Sequence, residues 1–138
     1  MVAGLIASVS YRDHRRRERW TKAADEFRAA FLPAITALET SLGNHRSILA
    51  QECGKHEQAA VAFRQYLGRR VGAFNEAWKA YEHYEEEQTN VGILGMIGTE
   101  VLDLSRAHDP KHIAEVAEMR KKECLGYINA VLEFAQPE

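Results

Sequence analysis

His56 is the residue best placed to do chemistry. It falls on an apolar helical stripe, with Glu52 and Glu57 close in sequence and Tyr81 on the next predicted helix. A semi-buried histidine near a carboxylate or a phenol can exchange a proton close to neutral pH. The same position suits a histidine packed in a helix interface, donating one ring proton to a carbonyl or carboxylate. The structural role is the expectation, and no catalytic residue is assigned.

Metal and nucleophile chemistry find less support. Di-iron bundles place Glu-x-x-His pairs on two helices, and no Glu-x-x-His occurs in this chain. His108 and His112 have the i, i+4 spacing used for zinc, but Asp109-Pro110 is a helix start between them. No metal and no cofactor is expected. The two cysteines, Cys53 and Cys124, match no zinc spacing and read as buried free thiols, for which a reducing compartment is the default. Gly92, Gly95 and Gly98 lack the lysine and hydroxyl residue of a phosphate loop.

Charge offers three surfaces. Met1 to Tyr11 is uncharged and mostly apolar, and Arg12, Arg15, Arg16, Arg17, Arg19 and Lys22 follow. Eleven helical residues cover about half of a ~30 Å hydrocarbon core. A secretory signal would put its basic residues first. Apolar before basic matches the cytoplasmic flank of a membrane helix, and the competing reading is the start of a soluble helix. Arg15, Arg16, Arg17 and Arg19 are therefore candidates for contact with an anionic membrane surface. Arg64, Arg69 and Arg70 cluster at a predicted hairpin turn, and Glu82, Glu85 and Glu86 lie at the far end of the next helix. These are solvated surface or, with opposite signs at opposite ends, a patch that orients a protein partner. A net charge of −2 disfavours a general nucleic-acid binder.

The elements that must position these residues are helical. The chain has 138 residues, 46% hydrophobic and 28% charged, with only three prolines, which suits one domain with its own core. Trp20, Ala24, Phe27, Phe31, Ile35, Leu38 and Leu42 step by three and four, predicting a first helix over about 13–42, kinked or split near Leu32 by Pro33. Gly43 stops it, and Asn44 caps a second helix running to Leu67, with Gly68 ending it. A third helix over about 69–87 presents Phe74, Ala77, Trp78, Tyr81 and Tyr84, and the short connection makes it antiparallel to the second. Phe63, Phe74, Trp78 and Tyr81 should meet across these two helices. Residues 89–108 read as an irregular apolar loop, with a short helix over 99–106. Asp109 and Pro110 then open a last helix carrying Ile113, Val116, Arg120, Cys124, Tyr127, Val131 and Phe134.

The expected fold is all-α, an antiparallel four-helix bundle-like domain over 12–138 preceded by a short apolar segment over 1–11. The runs Ala24–Pro33, His56–Arg64, Phe74-x-x-Ala77-Trp78-x-x-Tyr81 and Ile128-x-x-Val131-Leu132-Glu133-Phe134-Ala135 resemble a group of short uncharacterised bacterial proteins. Those proteins have one membrane helix and a small helical domain, and the resemblance implies no activity. The present apolar segment is short for that group, as a late start site or a truncated anchor would make it. The leading expectation is a non-enzymatic interaction module with a protein partner, tethered at the cytoplasmic face of a bacterial membrane, or cytoplasmic if the segment does not anchor. The alternatives are a small enzyme or ligand-binding bundle using His56 and, more weakly, a nucleic-acid-associated protein.

Overall fold

The computed structural model describes residues 2–40, 44–89 and 109–137, with side chains from residue 10 onward in the first of these segments. Among the described residues there are four helices: α1 (Val2–Glu39), α2 (His45–Arg64), α3 (Val71–Thr89) and α4 (Pro110–Leu132). Single 3₁₀ turns follow at Gly68–Arg70 and Glu133–Ala135. Gly43, the loop expected over 90–108 and its short helix lie outside the described residues.

Two helix starts follow directly from their capping residues. The Asn44 carboxamide accepts the Ser47 N–H at 2.7 Å, and the Asp109 carboxylate accepts the Lys111 N–H at 3.0 Å with Pro110 in the first turn. Each satisfies a backbone donor that a helix start leaves unpaired. The α2–α3 turn closes through Gly68, whose φ of 54° lies in the left-handed region that favours glycine.

α1 departs from expectation in two ways. It begins at Val2, so the apolar segment and the basic run form one unbroken helix. It also passes through Pro33 without splitting. Pro33 and Ala29 are both exposed. The carbonyl left without its i+4 donor therefore belongs to a solvent-facing residue, where water can satisfy it.

The ring pairs show how the helices run. Phe27 stacks on Phe63 at 4.6 Å and Phe31 on His56 at 3.9 Å, so α1 and α2 are antiparallel. Phe63 meets Phe74 edge-on at 6.1 Å while the earlier His56 bonds the later Tyr81, which makes α2 and α3 antiparallel too. Phe74 with Phe134 at 5.6 Å and Tyr84 with Tyr127 at 4.6 Å set the same relation for α3 and α4. The ring of four closes where the Arg28 guanidinium on α1 donates to the Ala135 carbonyl at 2.5 Å.

The core extends beyond the pairing expected of α2 and α3. Phe63, Phe74, Trp78 and Tyr81 are all buried, and Trp78 lies 5.1 Å from Tyr81. Phe27 and Phe31 of α1 sit among them, however, with Phe27 touching both Phe63 and Phe74. On α4 the expected stripe is met at Val116, Cys124 and Val131, which are buried, and at Tyr127 and Phe134, which pack on the core, but not at its start. Ile113 is 48% exposed, whereas Ile128 and Ala135 are fully buried. The expected positions advance by less than 3.6 residues per step, so they drift off the straight helix face.

Candidate functional site

His56 sits at 0% exposure in the centre of the bundle. Its Nδ1 lies 2.6 Å from the Tyr81 hydroxyl, and its ring lies flat on Phe31. Burial holds its pKa down, to about 4, because a charged imidazole would lose its water. The Ala30 carbonyl pulls weakly the other way, and the Lys55 charge lowers it further. Burial also pushes the Tyr81 phenol up, so its hydroxyl keeps its proton and shares a hydrogen bond with Nδ1. Nε2 makes no hydrogen bond of normal geometry among the described residues, and the Ala30 backbone is the polar group that acts on the ring. None of the described grooves is lined by His56.

Neither thiol is activated, and the burial expected of both holds for Cys124 but not for Cys53. Cys124 is fully buried and its pKa is pushed up to about 12, mainly by burial and then by the Glu123 charge. Cys53 is half-buried and is also raised, by burial first and then by the charge and hydrogen bond of Glu85. A reactive thiolate needs the opposite environment. Among the described residues no three His, Cys, Asp or Glu side chains converge as a metal set. His108 lies outside the described residues, and His112 is buried on α4.

The charged clusters are redistributed. The Arg64 guanidinium lies over the Phe74 ring at 5.8 Å and that of Arg70 over Phe134 at 5.1 Å. Both therefore cover the aromatic core, as arginine stems and planes often do, and Arg69 alone of the three is exposed. Glu85 is half-buried, receives the Thr89 hydroxyl at 3.1 Å and faces Cys53. Glu86 stays exposed. Arg64 and Glu82 do come together, lining one groove of about 340 Å³ with Glu57, Asn75, Trp78 and Lys79. The first two clusters are thus partly structural, not uniformly solvated.

The amino-terminal arginines form the most exposed charged surface described. Every residue from Ser10 to Arg19 is exposed, and α1 first joins the core at Trp20 and Ala24. At about 1.5 Å per residue, 38 residues span about 57 Å against about 30 Å for the 20 residues of α2. α1 therefore continues as an arm beyond the bundle end formed by the α2–α3 turn. At the base of the arm, Tyr11, Arg12, Arg15, Arg16 and Arg19 line a groove of about 530 Å³, with Tyr66 of the turn as its opposite wall. A second groove of about 820 Å³ continues from Arg19 and Tyr66 along the α1–α2 seam past Lys22, Glu26 and Lys55.

Arg17 does not line the basic groove, whereas Arg12 does. The spacing of 12, 15, 16 and 19 already marks one helical face. Tyr66 carries no such signal, because only the turn through Gly68 brings it to α1. The chain matches no protein-family model, no curated protein and no solved structure.

Proposed function

We propose that this chain is a non-enzymatic helical interaction module that engages an anionic membrane surface through the amino-terminal arm of α1. The observation that carries this reading is the exposure of Arg15, Arg16, Arg17 and Arg19 on a helix that the bundle does not cover. None of the described helices is long and apolar enough to cross a membrane. The engagement is accordingly with a surface, where each basic residue contributes about 1 kcal/mol and the attraction fades within a Debye length. The apolar Met1–Tyr11 sequence next to the arginines favours lipid over nucleic acid. An apolar sequence followed by a basic one suits the cytoplasmic face of a bacterial membrane. The groove holding Arg64 and Glu82, with the 62% exposed Val61 on its wall, supports a protein partner for the bundle itself.

Flotation with anionic liposomes at low and physiological salt tests the reading. The intact chain should float more at low salt, deletion of residues 1–11 should weaken flotation, and glutamine at positions 15, 16, 17 and 19 should nearly abolish it. A chain that stays in the soluble fraction at both salts contradicts it.

A further inference from the structure

We infer that the groove between the α1 arm and Tyr66 is a recognition site for a lipid headgroup carrying two phosphates, not merely part of a diffuse positive surface. The inference rests on the membrane-surface reading above and says which lipid chemistry that surface prefers.

The groove is built from one helical row and one turn. Arg12, Arg15, Arg16 and Arg19 recur at i, i+3, i+4 and i+7 and all line it. Their side chains therefore share one face over about two helical turns. Tyr66 closes the other side, which makes the surface concave. Among the described residues no acidic side chain lines this groove, and the nearby Glu18 is engaged by His14 at 2.9 Å. Four arginine side chains thus line one space of about 530 Å³, and among the described residues no counter-charge lines it.

A single phosphate is satisfied by one or two guanidinium forks, each donating two parallel N–H bonds. Four forks in a row match two phosphates held a short distance apart. The aromatic residues specify the setting. The Arg15 guanidinium lies 5.6 Å from the centroid of the Tyr11 ring, which restrains it before any ligand arrives. Tyr11 is 61% and Tyr66 39% exposed, so two phenols flank the arginines at the rim. Tyrosine favours the boundary between headgroups and water, and Tyr11, which lines the groove, is the last residue of the apolar sequence Met1–Tyr11. A soluble polyphosphate or a nucleic-acid strand would leave that apolar neighbour unused. Basic pockets of this kind suit two-phosphate headgroups.

The test is flotation of the full chain with phosphatidylcholine vesicles of matched surface charge. One set contains cardiolipin, and the other contains twice as much phosphatidylglycerol. We expect about fivefold or greater preference for cardiolipin, the size of one basic contact. Arg16→Gln and Tyr66→Ala should each erase that preference, and Arg17→Gln should keep it. The arm is exposed, so the arginine variants should fold as the parent does, and the comparison of the two vesicles needs no variant. Equal flotation with both vesicles overturns the inference and leaves the membrane-surface reading standing. Loss of preference on Arg17→Gln equal to that on Arg16→Gln also overturns it. No flotation with either vesicle removes the membrane-surface reading itself. Release from cardiolipin vesicles by a short single-stranded oligonucleotide at equal phosphate would identify a nucleic-acid site and overturn the lipid assignment.

Discussion

From Trp20 to Leu38, α1 alternates buried and exposed positions at helical spacing, whereas from Ser10 to Arg19 every position is exposed. The two halves share one helix and are held by different forces. Trp20, Phe27 and Phe31 are fixed by rings from α2 and α3. Among the described residues the arm is held by its own helix and by local pairs such as His14–Glu18 and Arg15–Tyr11, with Tyr66 of the turn facing its base. Short helices without tertiary cover are marginal in water. The bundle half therefore determines whether the chain folds, and the arm is free to serve a partner. Changes that fall on one half should leave the other half's property untouched.

The largest effect should come from the centre of the bundle half. Phe27→Ala removes a ring that touches Phe31, Phe63 and Phe74, and Trp78→Ala removes one that packs on both Phe74 and Tyr81. Each should cost about 3–5 kcal/mol in urea unfolding, a large share of a small domain's stability. A variant that melts within a few degrees of the parent would show that these rings do not carry the fold.

His56 should make stability depend on pH. The unfolded chain binds its proton near the ordinary value of 6.5 and the folded chain only near 4. Between those values the unfolded state holds more protons, so stability falls as pH falls. The contribution is complete above pH 6.5 and should shrink by about 3 kcal/mol as pH falls to 4. His56→Gln should lower stability modestly at neutral pH, flatten this part of the profile and leave vesicle binding intact. Full stability with loss of a measured activity would instead give His56 a functional role.

A smaller effect is expected at the α2 start. Asn44→Ala deletes the bond to the Ser47 N–H and should cost about 1 kcal/mol. The smallest stability change belongs to the arm. Glutamine at positions 12, 15, 16 and 19 should change the unfolding free energy by less than about 0.5 kcal/mol while removing most vesicle binding. A large loss of stability would mean that the arm is part of the folded core after all.

The all-α fold, the Asn44 and Asp109 caps, the Gly68 turn and the ring positions on α2 and α3 were legible because they depend on neighbours within a turn or two. Local spacing also placed Arg15, Arg16 and Arg19 on the candidate surface. It could not show that Arg64 and Arg70 lie over Phe74 and Phe134, or that Glu85 turns toward Cys53. Those contacts exist only once three helices have packed. The basic groove was half visible, as a row of arginines whose opposite wall, Tyr66, arrives through a turn nearly fifty residues later in the chain. On α4, positions read at a slightly short period placed Ile113 in the core and missed Ile128.

Amide hydrogen exchange along α1, with and without anionic vesicles, tests the division between arm and bundle most directly. The account predicts rapid exchange over residues 10–19 in the free chain, strong protection of residues 24–38, and new protection confined to the arm, up to residue 19, when vesicles are added. Protection over 10–19 that vesicles leave unchanged, or vesicle-induced changes centred on Phe27 and Phe31, would contradict it.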